Sequence, residues 1–344
     1  KDDYKIVGSL INFEARLLKK INIAKTDLKF ELIKNNYHIH LIKGNINEIN
    51  LTNGKFEISK KNENFNIKGN LASKSNIKDL QSMIYLLNFK TNEDLVKGSE
   101  ISFDIKTSFS FQLNKYAKIK DLLINGSGKI DSLNLNLDVN TSKLKKIFVN
   151  YNNSLQIKDT NIKFSSKKKK HSVELDGLIY LTDKHEQFKS KIVTDKEKNK
   201  VSFDTVLDIK SLNIKLPNLN YEKKADLFGS LKFKGIHKEN EGFNFEFIEF
   251  KESDNLILAN NIKFNKKVEI DYIKGLIVQT RHNNLINNKF KLSNEDNIKI
   301  EGEIFDARPL LINFYKSNKK KLLSKKFHGK ILIGIEEIIC DKRN

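Results

Sequence analysis

The chain has 344 residues, a formal net charge of +20 and a single cysteine, Cys340. One cysteine excludes both an internal disulfide framework and a zinc site built from cysteines, and no run of about 18 apolar residues predicts a membrane-spanning helix. A hydrophobic fraction of 38% beside a charged fraction of 31% is typical of a folded chain.

The positive charge comes almost entirely from lysine. It favours acidic partners such as nucleic acid or anionic lipid headgroups, without choosing among them. Abundant Lys, Asn and Ile are also what an AT-rich genome encodes, so we give the charge little weight as a sign of function. Net charge bears on solubility and non-specific binding rather than on fold.

Strict alternation of apolar and polar residues, the period of a strand with one buried face, recurs from end to end of the chain. After a first run at 65–71, the longest run covers 101–113, which predicts one unusually long strand or two strands joined by a bend. Its apolar side consists of Ile101, Phe103, Ile105, Thr107, Phe109, Phe111 and Leu113.

Similar runs follow along the chain. They carry Leu133, Leu135, Leu137 and Val139; the alternating residues of 173–181; Val201, Phe203, Thr205, Leu207 and Ile209; and the aromatic stripe Phe243, Phe245 and Phe247. A phase shift after Ile209 predicts a bulge near Ser211 that keeps the same face inward. Turns are predicted at 52–54, 125–128, 165–171, 183–187 and 194–200.

Two short helices are predicted. Ile77, Leu80, Met83, Ile84 and Leu87 recur at helical spacing after the cap candidates Ser75 and Asn76. A second helix is expected to start at Asp306 as N-cap, to hold Pro309 in its first turn and to bury Leu310, Leu311 and Phe314.

Two short helices cannot cover the apolar face of more than a dozen amphipathic strands. The face must be closed by a second sheet, as in a sandwich, or by curling of the sheet around something apolar. We predict a mostly β fold: an elongated, curled antiparallel sheet, shaped like a groove or taco, with a few short helices. Residues 1–344 would form one quasi-repetitive region of a longer protein, with a candidate internal boundary near 90–100.

No catalytic or metal-binding motif stands out, so we expect a protein that is not an enzyme and uses no cofactor. The segment 125–129 departs from a phosphate-binding loop, because Leu123 and Ile130 occupy positions that require Gly and Ser or Thr. His38 and His40 share a strand face at a spacing that suits a metal ion, but no third ligand lies nearby in sequence. A solvated histidine pair is the simpler interpretation.

The run Lys167 to Lys170 lies between two strands and is most simply a charged hairpin tip. The alternative is contact with phosphates or acidic headgroups, since clusters of four or more lysines reach the range of lipid-binding segments. Phe243, Phe245 and Phe247 have no basic residues between them, which argues against the base-stacking platforms of nucleic-acid binders.

The stretch from Ile304 to Leu311, with Asp306-Ala307-Arg308-Pro309 at its centre, follows a strand ending near Gly302 and precedes a new strand from Gly329 to Ile333. This arrangement resembles the AsmA-like family, particularly the YhdP-like and TamB-like proteins of Gram-negative bacteria. The resemblance implies a periplasmic protein anchored to the inner membrane outside this segment, with a hydrophobic β-groove that moves phospholipid toward the outer membrane. It implies no catalytic residues.

We therefore expect a non-enzymatic lipid-transfer or envelope-assembly scaffold whose partner is phospholipid, with no nucleic acid and no identifiable protein partner. The runner-up is a structural β-sandwich module without a ligand, and a basic nucleic-acid binder is a weaker third hypothesis. The predicted groove lining comprises Ile101, Phe103, Ile105, Phe109, Phe111, Leu113, Leu133, Leu135, Leu137, Val201, Phe203, Leu207, Phe243, Phe245 and Phe247.

Overall fold

The computed structural model of the chain describes residues 4–17, 21–34, 36–61, 63–78, 98–116, 118–136, 146–152, 154–266, 268–316 and 330–341. Strands dominate this part of the chain, and eighteen of them belong to one sheet whose pairings are almost all antiparallel. The prediction of a mostly β, mostly antiparallel fold is confirmed. None of the helices in the described ranges is both long and apolar enough to cross a membrane.

The chain divides into two compact units. Unit 1 contains Lys1–Val139, Asn153–Tyr180 and Lys191–Lys198, and unit 2 contains Asn140–Asn152, Leu181–Ser190 and Asn199–Asn344. The candidate boundary near 90–100 falls mostly outside the described residues.

Unit 1 is a meander in which each strand pairs antiparallel with the next along the chain. The run at 101–113 is one continuous strand, β6, as one of the two predicted alternatives stated. The strands are β1 (Lys5–Leu17), β2 (Ile21–Ile33), β3 (Asn36–Ile46), β4 (Ile49–Lys61), β5 (Asn64–Ile77), β6 (Glu100–Leu113), β7 (Ile119–Asn136), β8 (Ser154–Lys167) and β9 (Lys170–Tyr180).

The chain continues with β10 (His185–Asp195, shared between the units), β11 (Lys200–Asp208), β12 (Ile214–Leu216), a 3-10 helix (Pro217–Leu219), β13 (Tyr221–Lys223), β14 (Ser230–Lys238), β15 (Gly242–Glu252), β16 (Asn255–Phe264), β17 (Ile270–His282), β18 (Leu285–Asn294), β19 (Ile298–Asp306), α1 (Arg308–Lys316) and β20 (Ile331–Ile339). In unit 2, β11 pairs with β14, the strands from β14 to β19 form a second antiparallel meander, and β19 pairs in parallel with β20.

Two of the predicted turns are wrong. Residues 52–54 lie inside β4 and residues 125–128 lie inside β7. Their glycines lie under side chains of neighbouring strands instead of forming turns: a Cβ on Gly54 would meet Leu71, and a Cβ on Gly126 would overlap the ring of Phe164. The turns predicted within 165–171, 183–187 and 194–200 are confirmed.

The bulge predicted near Ser211 is also wrong. β11 ends at Asp208, and Ile214 begins a separate two-stranded sheet of β12 and β13. Ile209, Leu212 and Ile214 are nonetheless all buried, because the connection folds back on to the sheet of unit 2.

The predicted helix is confirmed as α1, with Pro309 in its first turn, but it begins at Arg308, two residues after the predicted N-cap Asp306. Leu310, however, is exposed rather than buried, and the side chain of Phe314 is outside the described set. Of the other predicted helix, the cap candidates Ser75 and Asn76 and the helical residue Ile77 lie in β5 instead. The rest of that prediction, from Leu80 to Leu87, falls outside the described residues.

Candidate functional site

The predicted lining residues of unit 1 share one face of the sheet. β5 and β6 pair without a register shift, so the odd-numbered residues of β6 all point to the same side. Phe103 is only 5% exposed, whereas Ile101, Ile105, Phe109, Phe111 and Leu113 are half-buried. Leu133, opposite Ile101, and Leu135 continue this face on β7, and Leu137 lies outside the described residues.

Phenylalanine rings lie over glycines of adjacent strands on this face. Gly69 is opposite both Phe56 and Phe109, and a Cβ built on it would lie 3.0 Å from Cζ of Phe109. Gly126 is opposite Phe164 in the same manner. The rings therefore lie along the backbone, and the glycines supply the room for them.

Unit 2 has an apolar face of its own. Val201, Phe203 and Leu207 of β11 share it with Phe243 and Phe245, because the register matches Phe203 with Gly235 and Gly235 with Phe245. We call the following five half-buried side chains the aromatic cluster: Phe203, Phe233, Phe243, Phe245 and Phe264. Ring centroids are 5.3 Å apart for Phe203 and Phe245, and 5.6 Å apart for Phe245 and Phe264.

Phe247 does not belong to this face, and the prediction of an unbroken stripe is wrong. A register shift in the β14–β15 pair places Phe245 opposite Gly235 but Phe247 opposite Lys234. After the shift, Ile248 and Phe250 take the apolar side and Phe247 takes the other. A bulge inverts the alternation and leaves no trace in the spacing of the three phenylalanines.

Phe233 and Phe264 were missing from the predicted lining. Phe233 lies on the same face of β14 as Gly235, and Gly235 is the residue paired with Phe203 and Phe245. Phe264 is paired with Phe243. Short runs on β14 and β16 gave each of them little weight in the sequence. Cross-strand pairing, which only the register reveals, brings them into the aromatic cluster.

One end of the apolar face in unit 2 is covered by residues 209–223, which we call the cap hairpin. The ring of Tyr221 packs against Phe250 at 5.7 Å, and its hydroxyl donates a hydrogen bond to Glu252 at 3.0 Å. Phe250 and Val278 are almost fully buried at this end, whereas the aromatic cluster at the other end stays half-buried.

The cap hairpin rests on a network of buried polar groups. Asn288 donates to the carbonyl of Leu219 at 2.7 Å and to Thr280 Oγ1 at 2.9 Å, and its Oδ1 accepts from the backbone N–H of Asp306. Asp306 is fully buried and is bound by two nitrogens of Arg308, at 2.8 and 2.6 Å. The Asp-Ala-Arg-Pro segment thus ties the start of α1 to the floor beneath the cap hairpin.

Hydrogen bonds keep the Asp306 carboxylate of this network ionised. Burial raises the pKa of the Asp306 carboxyl, but hydrogen bonds from Arg308, Asn220 and Asn287 outweigh that effect and lower the pKa to about 2. Lys223 is also fully buried, and burial lowers the pKa of its ammonium group. That ammonium donates to the carbonyls of Lys210, Leu212 and Lys224 at 2.9 to 3.2 Å. These three hydrogen bonds hold the ends of the cap hairpin together, and we call them a structural latch.

A depression of about 320 Å³ lies beside Arg308, lined also by His282 and Ile339. Arg308 is already engaged by Asp306, so we do not take this depression as the functional site. Within the described ranges, no group of three His, Cys, Asp or Glu side chains is arranged to hold a metal ion. His38 and His40 are exposed on the polar side of β3.

Comparisons of the chain with protein-family models, with curated proteins and with solved structures found no match. The candidate site is therefore defined by the geometry of the chain alone: two apolar sheet faces, with half-buried phenylalanines on each.

Proposed function

We propose that the chain binds the acyl chains of phospholipids along its apolar sheet faces and carries out no covalent chemistry. The aromatic cluster of unit 2 is the observation that carries this proposal. Phe250, on the same face, is packed beneath the cap hairpin, so this sheet buries its phenylalanines where it is covered. The five rings of the aromatic cluster remain half-buried and offer an acyl chain apolar contact.

The energetics suit a passive carrier. Transfer of a methylene group from water to an apolar surface contributes about 0.8 kcal/mol when its area is fully buried, and less when one side stays open. Glycines opposite Phe109 and Phe203 give these rings room close to the backbone, and an acyl chain lying across several rings makes similar apolar contacts in neighbouring positions. Such a surface binds hydrocarbon and permits it to slide.

The alternative is a structural sandwich whose apolar faces pack on each other. In the described part of the chain, the only sheet besides the large one has two strands, β12 and β13, which lie in the cap hairpin. This arrangement favours binding of a ligand to the apolar face over packing of that face against a second sheet. The further proposal, taken from the resemblance to AsmA-like proteins, is that the sheet curls into a groove and that the protein works in the periplasm between the two membranes.

Native mass spectrometry of the purified chain, followed by organic extraction, tests the proposal. We expect co-purified phospholipid in several copies. The diagnostic variant replaces Phe243 and Phe264 of the aromatic cluster by Gln, and Phe247→Gln on the opposite face is the control. Thermal unfolding shows whether each variant is folded.

Lower lipid occupancy in the folded double variant, with the Phe247→Gln protein unchanged, would support acyl binding on this face. A folded wild-type chain that carries no lipid and takes up none from detergent-free lipid mixtures would overturn the proposal and leave the sandwich scaffold. Equal losses in both variants would also count against a specific face.

A further inference from the structure

The hairpin tips at one end of the strands of unit 1 are rich in lysine. In an antiparallel meander, every second turn lies at the same end of the strands. The same end of the strands therefore holds five turns: the tips between β2 and β3, β4 and β5, β6 and β7, and β8 and β9, and the turn after β10. We call this row of tips the basic rim, and its described residues are 33–34, 36, 60–61, 63–64, 114–116, 118–119, 167–170 and 195–198.

The basic rim contains eleven lysines and three carboxylates, so its excess is eight positive charges. The lysines are exposed. Two of the carboxylates form long ion pairs within the rim, Glu197 with Lys169 at 3.5 Å and Asp195 with Lys170 at 3.9 Å. All three carboxylates are already subtracted in that excess, so eight positive charges remain to attract an anionic surface.

Contacts between tips hold the lysines in a row. The N–H of Lys196 donates to the carbonyl of Lys169 at 2.9 Å, which joins the turn after β10 to the β8–β9 tip. Lys115 forms an ion pair with Glu63 at 3.0 Å, which joins the β6–β7 and β4–β5 tips. The charges thus lie on hairpin turns of the sheet and not on a mobile tail.

The β8–β9 tip keeps its charge at a conformational cost. Lys168 has φ of +54°, a left-handed conformation that Gly or Asn adopts far more readily than a lysine. Its partner in the two-residue turn is Lys169, between the paired residues Lys167 and Lys170. Lys168 alone of the two central residues has a positive φ, and turn chemistry favours Gly at that first central position.

Exposed tyrosines and an exposed aliphatic side chain accompany the lysines. Tyr116 is 72% exposed at the β6–β7 tip, beside Lys115, and Tyr37 is exposed next to the β2–β3 tip. Ile119 is 47% exposed where the apolar face of unit 1 reaches the rim, opposite Leu113. Tyrosine with lysine is the combination that sits well at the headgroup level of a bilayer.

We propose that the basic rim docks unit 1 on the surface of an anionic lipid bilayer. Each lysine near an anionic surface increases binding by about fivefold, and the effect fades within a Debye length of about 10 Å. A nucleic-acid duplex would satisfy the charges but offers no apolar partner for Ile119, whereas the bilayer interface does. The inference deepens the proposed function by naming the surface from which acyl chains reach the apolar face, yet docking itself needs no bound lipid.

Co-sedimentation of the whole chain with vesicles tests the inference. We expect binding to vesicles of phosphatidylcholine mixed with phosphatidylglycerol, little binding to phosphatidylcholine alone, and release as salt is raised. The rim variant replaces one lysine in each of four tips by Gln: Lys61, Lys118, Lys168 and Lys198. The control variant replaces four exposed lysines of the polar strand face by Gln: Lys55, Lys74, Lys106 and Lys163.

Both variants lose four positive charges, so their net charges are equal. Weakening of vesicle binding by at least about tenfold in the rim variant, with a clearly smaller loss in the control, supports docking through the rim. Equal losses show that net charge alone drives binding and overturn the inference. So does a wild-type chain that ignores anionic vesicles, or one that a DNA duplex strips from the vesicles at equal phosphate concentration.

Uptake of a soluble fluorescent fatty acid, measured without vesicles, keeps this inference separate from the proposed function. A rim variant that takes up the fatty acid normally but fails to bind vesicles has lost docking alone. A wild-type chain that takes up the fatty acid without binding vesicles leaves the proposed function standing and the inference refuted.

Discussion

The ring of Phe164 in β8 lies directly over Gly126 in β7, so close that any side chain at Gly126 would overlap it. The same relationship joins Phe30 to Gly8, and a looser one, with ring atoms 3.0 Å from a built Cβ, joins Phe109 to Gly69 and Phe203 to Gly235. In each case the aromatic ring covers backbone that a glycine leaves bare. The glycines of these strands therefore shape the apolar face, and their substitution should be felt through the rings.

Gly126→Ala is expected to lower the free energy of unfolding by about 1 to 3 kcal/mol, because the new methyl group displaces the ring of Phe164. The midpoint of urea denaturation measures the change. Gly334→Ala in β20 is the control, since nothing lies within 4 Å of a Cβ at that position. Similar midpoints for the two variants would show that the ring moves aside without cost.

Asp306→Asn is expected to cost about 3 kcal/mol at neutral pH, because it leaves the partly buried Arg308 without its carboxylate. The carboxyl has a pKa of about 2 in the folded chain and about 4 when unfolded. Its stabilising contribution is therefore complete above about pH 4 and is lost as the pH falls through 2.

Urea midpoints of the wild type and of Asp306→Asn between pH 5 and 2 measure this contribution. We expect the gap between the two proteins to narrow by on the order of 2 kcal/mol on acidification. A gap that stays constant over that range would mean that the Asp306 carboxyl does not titrate as a paired group.

Lys223→Met is expected to loosen the cap hairpin, because three backbone carbonyls lose their donor and the buried one, of Leu212, is left unpaired at a cost of about 1 to 3 kcal/mol. Amide hydrogen exchange across residues 209–224 should quicken. Lys215→Met, on the same hairpin but with its side chain 46% exposed, is the control and should leave exchange unchanged. Slow exchange in both variants would show that the ammonium group is not the latch.

Phe109→Asp in unit 1 is expected to reduce acyl-chain uptake by severalfold, because the charge enters the half-buried apolar face of β6. Ser110→Asp, on the other face of the same strand, should leave uptake close to that of the wild type. A fluorescent fatty acid titrated into each folded variant gives the comparison. Equal uptake by the two variants would remove unit 1 from the acyl-binding surface.

Alternation along the chain predicted the long strand β6 and the face of its odd-numbered residues, because both depend only on the period of two. Glycines misled the prediction at 52–54 and 125–128. A glycine in a turn and a glycine beneath a ring look alike in sequence. Only the residue on the neighbouring strand, such as Phe164 opposite Gly126, tells them apart.

The candidate site was predicted in part for a similar reason. Phe203, Phe243 and Phe245 were identified from their own strands, while Phe247 was misplaced because the register shift beside Gly235 is a property of two strands together. The cap hairpin could not be inferred at all. Its buried residues Ile209, Leu212 and Ile214 look like a continuing strand in the sequence. The polar network beneath the hairpin is formed by Thr280, Asn288 and Asp306, which lie far from the hairpin in sequence.

The next-neighbour pairing of unit 1 bears on how such a sheet is built and how its length can change. From β1 to β5, each strand pairs with the next across the few residues that join them, so closure costs little chain entropy and pairing can proceed strand by strand from the first hairpin. An inserted pair of strands keeps every later strand in its original direction, whereas a single inserted strand reverses all of them. A sheet of this kind can therefore gain or lose whole hairpins, and each added hairpin contributes one further tip at the same end of the strands.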